Sequence, residues 1–216
     1  MIPTTPLPDG LGAITASVPV PITNRLDAYL AQLADSGVAF GLAVGDAAPD
    51  FTLPSAAGAV INLRELLTHG PVVLTFYRGE WCPYCNLQLR SLQAYLPLFR
   101  EAGATLVAVS SQAPDNSLTM SEKHSLGFPV LSDADQRVIA AYKVQFEVDG
   151  DLRELQVDVF NSDPRAHNAD GSFNLAVPAT FVIGTDRTIA ARFVSADFRT
   201  RVEPADVLAA LGALVS

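Results

Sequence analysis

The chain has 216 residues, 49% of them hydrophobic and 17% charged, which supplies one sizeable core and favours one domain over two. Lys and Arg number 14 against 23 Asp and Glu, and the resulting net charge of -9 argues against the phosphate neutralisation a nucleic-acid binder needs. The most apolar runs, such as 72–76 and 106–109, fall far short of the ~20 residues that cross a bilayer, so no membrane role is expected.

The chain is Pro-rich up to Pro21, and its first ten residues hold no Lys or Arg. The charged start of a secretory leader is therefore missing, and the expected setting is the cytoplasm. Leu26, Tyr29, Leu30 and Leu33 follow helical spacing and predict a short helix over 24–33. It belongs to an N-terminal extension of residues 1–40, and residues 41–216 are expected to form the main domain.

Val72–Tyr77 reads as a strand buried on both faces. After the cysteines, Leu87, Leu89, Leu92, Tyr95, Leu96 and Phe99 predict a helix of about five turns stopped by Gly103. Ala104–Ser110 gives a second buried strand, made parallel to the first by a right-handed crossover. The alternation continues with a helix around 115–126, a strand near 128–131 and a helix from about 133 to 142.

Residues 144–176 break the pattern: Asp149-Gly150 reads as a hairpin turn and polar 161–172 as a partly mobile loop, together an insertion. Thr180–Ile183 and Thr188–Phe193 predict an antiparallel hairpin, and Glu203–Val215 a last amphipathic helix. The expected class is α/β: a central mixed sheet flanked by helices, with an N-terminal extension and an insertion before the last hairpin.

The only cysteines, Cys82 and Cys85, lie three positions apart and cannot staple distant parts of a fold. In a reducing compartment such a pair reads as catalytic or metal-binding. A zinc site needs four ligands, and only His69, His124 and His167 remain as Cys or His candidates, so no metal is expected. Inert core cysteines are the other alternative, although Trp81 and Pro83 suit a strand-to-helix corner better than a helix interior. At a helix N-terminus, unpaired N–H groups and the helix dipole favour a thiolate, the form that attacks peroxides and disulfides.

Arg78 and Glu80 flank the pair. A guanidinium there can stabilise a thiolate or orient a peroxide oxygen, and a carboxylate can relay protons; a solvated surface pair is the competing reading. Trp81 and Tyr84 either shape the entrance or pack.

Trp81-Cys82-Pro83-Tyr84-Cys85 resembles the active-site motif of thioredoxins and glutaredoxins, with Cys-Pro-Tyr-Cys the usual glutaredoxin form. A broader resemblance, from about Val44 to Phe193, is to peroxiredoxins of the alkyl hydroperoxide reductase and thiol-specific antioxidant type. It rests on Val44–Leu53, Val72–Tyr77, Val107–Ser110 and Phe128–Asp133 leading to Ala141-Tyr142. The resemblance implies a thioredoxin-like fold and reduction of hydrogen peroxide or organic hydroperoxides through a Cys82/Cys85 dithiol-disulfide cycle. It also implies a thiol electron donor such as thioredoxin or glutathione, and no cofactor.

The site departs from that family's pattern. Peroxiredoxins carry Pro-x-x-x-Thr-x-x-Cys after this strand, and here Arg78 stands for the proline and Cys82 for the threonine. This alignment puts Cys85 at the attacking position, whereas the thioredoxin alignment puts Cys82 there. Exposure favours Cys82, which precedes the first turn, over Cys85, expected to be shielded by the helix.

The peroxiredoxin arginine expected shortly before 181–183 is absent, and Pro178 occupies that region. Val177–Phe181 resembles the thioredoxin loop whose cis-proline faces the cysteines; a trans proline starting a strand is the alternative. Asp197–Pro204 resembles a segment of glutaredoxin-motif peroxiredoxin-like proteins, which makes Arg201 a candidate second cation. The histidines read as surface or loop residues.

Three functions follow: a peroxiredoxin-like thiol peroxidase, a thioredoxin- or glutaredoxin-like disulfide reductase, and a non-enzymatic redox sensor. The strand edges are compatible with a homodimer.

Overall fold

A computed structural model describes residues 6–114, 120–122 and 124–214. It begins with two helices, α1 (Leu7–Ala16) and α2 (Val20–Asp35), each carrying proline in its first turn. There the missing N–H has no intrahelical partner to lose. α1 buries Leu7 and Leu11, and α2 buries Leu26, Leu30 and Leu33, all in the main hydrophobic core. The extension therefore holds two helices, the second longer than the spacing of 24–33 implied.

A short antiparallel hairpin, β1 (Thr52–Pro54) and β2 (Val60–Asn62), leads into α3 (Leu63–Leu67). Asn62 caps α3 by accepting the Glu65 N–H at 3.0 Å. β3 (Val72–Phe76) is buried along its whole length, and α4 (Pro83–Glu101) returns the chain to β4 (Thr105–Ser110). β4 runs parallel to β3, with Val72 opposite Thr105 and Phe76 opposite Val109, as the crossover required.

β5 (Val130–Ser132) adds parallel to β4. The predicted helix at 115–126 lies mostly outside the described residues. The helix expected from 133 starts later, as α5 (Arg137–Ala141), because Gln136 is left-handed at φ 57° and the Asp133 carboxylate accepts the Ile139 N–H at 2.8 Å.

The insertion is ordered rather than loop-like. β6 (Gln145–Glu147) is followed by α6 (Gly150–Glu154), a π-helical turn (Leu155–Val159) and α7 (Pro164–His167), before β7 (Asn174–Ala176) pairs antiparallel with β6. Asp149-Gly150 thus opens a helix instead of turning a hairpin. Asn168 fixes the polar part: it accepts from Ser111 Oγ at 2.6 Å and donates to the Ser172 and Asn174 carbonyls at 2.8 and 2.7 Å. Those bonds satisfy groups that a mobile loop would leave to water.

β8 (Ala179–Ile183) and β9 (Ile189–Val194) form the expected antiparallel hairpin, and α8 (Pro204–Gly212) ends the described chain. The sheet order is β5-β4-β3-β8-β9, a mixed sheet with β3 at its centre and helices packed against it. Among the described residues no helix is long and apolar enough to cross a membrane.

Two accessory parts meet over the start of α4. α1 packs on α4, while α2 packs on α6. Arg25 reaches Asp151 at 3.2 Å and Glu154 at 3.0 Å, and Tyr29 Oη donates to Asp149 at 2.8 Å. Asp27 pairs with Arg199 at 2.7 Å, tying the same helix to the segment after β9.

Candidate active site

β3 ends in the loop 77–81, in which the Tyr77 N–H still bonds the Val109 carbonyl at 3.1 Å. Gly79 allows the turn: its φ is 155°, and a Cβ there would lie 2.3 Å from Trp81 Nε1. Cys82 then caps α4 and Pro83 takes its first position, so Cys85 stands in the first turn.

Both sulfurs are buried, Cys82 at 1% and Cys85 at 0% exposure. The expectation that Cys82 is the exposed one does not hold. Ile14 of α1, Gln156 of the π-helical turn and Phe198 line the space beside it.

Cys85 Sγ accepts the Arg78 backbone N–H at 3.4 Å and Arg201 Nη2 at 3.3 Å. Burial alone pushes its thiol up. The hydrogen bond from Cys82, the Arg201 charge and the N–H and charge of Arg78 outweigh that, holding Cys85 well below the usual thiol range. Cys82 goes the other way: burial raises it, and the neighbouring Cys85 raises it further. The two sulfurs titrate as a pair, and the Arg201 and Arg78 contacts place its more acidic member at Cys85.

Arg201 is fixed by its own segment. Its Nη1 donates to the carbonyls of Phe198 and of Thr200, the latter at 2.7 Å. Gln88 of α4 donates to the Val202 carbonyl at 3.3 Å and pins that segment to the helix bearing the cysteines.

Arg78 is no surface residue: it is 1% exposed. Its guanidinium carbon lies 4.9 Å from the Trp81 ring centroid and 4.2 Å from that of Phe198, a sandwich between two aromatic faces. With its amide turned to satisfy both neighbours, Gln156 accepts from Arg78 Nη2 at 2.5 Å and donates to the Ser162 carbonyl at 3.2 Å. Burial lowers the Arg78 pKa, against the attraction of the two sulfurs. No carboxylate pairs with it among the described residues, so the two sulfurs, Cys82 ahead of Cys85, are its compensating partners.

Glu80 turns to a different cluster. Its N–H donates to Gln112 Oε1 at 2.8 Å, and its carboxylate meets Gln112 Nε2 and His167 Nδ1, each at 3.5 Å. His167 also packs against the Trp81 ring at 5.7 Å, so this histidine is a neighbour of the motif and not merely a loop residue. Tyr84 hydrogen-bonds Thr15 of α1 at 3.2 Å and meets the Phe198 ring edge-on at 5.8 Å. Pro178 follows a trans bond, since no cis peptide occurs among the described residues, and the thioredoxin-like cis-proline is not present.

Each cysteine lines its own cavity. Cys85 opens on a space of about 290 Å³ bounded by Pro178, Thr200, Arg201 and Glu203. Cys82 opens on one of about 270 Å³ bounded by Val18, Arg78, Trp81, Tyr84, Phe160 and Phe198. Of the residues singled out in the sequence, Cys85, Arg201 and Pro178 meet at the first cavity and Cys82, Arg78, Trp81 and Tyr84 at the second. Nothing in the local spacing of Phe198 and Gln156 marks them as partners of a buried arginine.

The family model described as AhpC/TSA matches residues 44–192. Peroxiredoxin Bcp of Escherichia coli K12 is 31% identical over 103 residues, 48% of this chain and 65% of that protein. The chain thus spans just under two thirds of that relative's length. The crystal structure of peroxidoxin BcpB from Mycobacterium tuberculosis superposes with a TM-score of 0.63 at 27% identity, covering 80% of this chain and 98% of that one. Xanthomonas campestris peroxiredoxin Q shares the fold, with a TM-score of 0.60 at 21% identity over 77% of this chain and 92% of that one.

Proposed function

Because the chain belongs to the AhpC/TSA family, we propose that it is a thiol peroxidase in which Cys85 attacks a hydroperoxide and Cys82 resolves the product. The observation that carries this reading is Cys85 Sγ held 3.3 Å from Arg201 Nη2 at the edge of a cavity. The Cys85 thiolate attacks the terminal peroxide oxygen, the O–O bond breaks, and the alkoxide or hydroxide leaves with the bonding pair. Arg201 stabilises the charge that shifts onto the departing oxygen.

That oxygen needs a proton, and Glu203 lines the same cavity with a buried Oε1 that lacks a hydrogen-bond partner. Burial, with Asp206 nearby, raises its carboxyl pKa, which favours the proton-carrying form. Cys82 then attacks the Cys85 sulfenic acid, water leaves, and a Cys82–Cys85 disulfide forms. Two thiols of an electron donor restore the pair.

The cavity of about 290 Å³ suits hydrogen peroxide and small organic hydroperoxides. Exchange with a protein disulfide needs a sulfur at the surface, and neither cysteine offers one, which supports the peroxidase over the reductase. The test is stopped-flow oxidation of the reduced protein by hydrogen peroxide, followed through Trp81, its one tryptophan. We expect a second-order rate far above that of a free thiol at the same pH. A rate equal to that of a free thiol removes the peroxidase reading.

A further inference from the structure

The two cavities share no lining residue, so the sulfur that meets peroxide and the sulfur beside it face different spaces. We propose that the cavity at Cys82 is the entry site of the recycling electron donor, and that this donor is a small thiol bearing a carboxylate. The proposal rests on the peroxidase reading for the origin of the disulfide, although the reduction step itself does not depend on how that disulfide arose.

The direction of exchange favours Cys82 as the sulfur attacked. A thiolate RS⁻ entering there forms an R–S–Sγ bond to Cys82 and breaks the Cys82–Cys85 bond, and the electron pair leaves on Cys85. That leaving thiolate is the one held by Arg201 and the Arg78 N–H, and a better-stabilised leaving group departs faster. A second RS⁻ attacks the R-bearing sulfur, RSSR departs, and Cys82 takes up a proton. The net change is disulfide plus two RSH to dithiol plus RSSR.

The walls specify the ligand. They are mostly apolar, through Ile14, Val18, Leu26, Phe160 and Phe198, but Arg78 is among them, with its Nε buried without a partner and no carboxylate paired to it among the described residues. An unmet buried donor is costly, and a carboxylate beside a guanidinium answers it with a charge-assisted bond. At about 270 Å³ the space lies just under the ~300–1,000 Å³ of drug-sized sites, enough for a small organic thiol.

A protein donor meets a roof. α1, α2 and the π-helical turn cover Cys82, and the bonds of Arg25 to Asp151 and Glu154, of Tyr29 to Asp149 and of Asp27 to Arg199 hold them down. Bringing a second protein's thiol to the Cys82 sulfur would require breaking these together.

The experiment follows reduction of the isolated disulfide form by Trp81 fluorescence with three probes: 3-mercaptopropionate, 2-mercaptoethanol and reduced thioredoxin. We expect 3-mercaptopropionate, compared per thiolate, to be at least about tenfold faster than 2-mercaptoethanol and to saturate with concentration. Thioredoxin should be slower than 3-mercaptopropionate. Val18→Phe, which fills the cavity, should lower the reduction rate about tenfold relative to the same variant's oxidation rate. Ser17→Phe serves the same purpose if that variant does not fold.

Equal rates for the two small thiols, or faster reduction by thioredoxin, overturn the proposal. If peroxide fails to oxidise the pair, diamide supplies the disulfide for the same measurements. The peroxidase reading then falls while the donor site is still decided.

Discussion

Replacing Arg201 by Gln removes the one side-chain charge among the described residues in hydrogen-bond contact with Cys85 Sγ, at 3.3 Å. A hydrogen bond to a charged group contributes about 1.5–3 kcal/mol, and Arg201 is only partly buried, so the lower half of that range applies. That loss of thiolate stabilisation raises the Cys85 pKa. The sign follows from charge: the cation favours the thiolate, so its loss favours the thiol. Ultraviolet thiolate absorbance against pH, in a Cys82→Ser background, reads the shift directly. The peroxide rate at neutral pH should fall and recover in part as pH rises, with Arg201→Lys in between. A Cys85 titration that does not move in Arg201→Gln refutes the assignment of Arg201 as the partner of the thiolate.

Glu203→Gln keeps the shape of the cavity but cannot carry the proton, and we expect the peroxide rate to fall about tenfold or more with the Cys85 titration unmoved; an unchanged rate would remove Glu203 from the reaction. The depressed Cys85 pKa also links stability to pH. Its contribution is complete above the unfolded thiol value of ~8.5 and is lost as pH falls toward the folded value, so urea midpoints of the reduced protein should drop over that window. Cys85→Ser should flatten that part of the profile, and an unaltered slope would contradict it. Leu30→Ala in α2 removes a side chain buried to 5% exposure and should cost about 2–5 kcal/mol in urea unfolding; a loss below about 1 kcal/mol would mean that the extension is dispensable to the core.

The stretch from β3 through α4 to β4 was legible because its signals are local: a continuous apolar run, leucines at helical spacing, then a second apolar run. α1 was not legible, because Pro8, Gly10 and Gly12 obscure a helix that buries only Leu7 and Leu11. The insertion looked like a loop because its order comes from distant side chains, such as Asn168 on Ser111 and Gln136 on Ser172 at 3.0 Å.

The cysteine pair stood out from its spacing and setting, yet its exposure did not follow from them. Cys82 is covered by α1, α2 and the insertion, and the spacing of a motif carries no information about which remote segments fold over it. Arg78 looked equally suited to solvent, and only Trp81, Phe198 and Gln156 closing round it make it a buried cation. Arg201 was a candidate through resemblance alone; its place beside Cys85 depends on the return of the chain after β9.

Which sulfur is oxidised first decides most directly between this chemistry and a thioredoxin-like one. Dimedone trapping with mass spectrometry, after one equivalent of hydrogen peroxide, should find a sulfenic acid on Cys85 in Cys82→Ser and none on Cys82 in Cys85→Ser. Rapid labelling of Cys82 in Cys85→Ser, with Cys85 unlabelled in Cys82→Ser, would contradict the role assigned to Cys85.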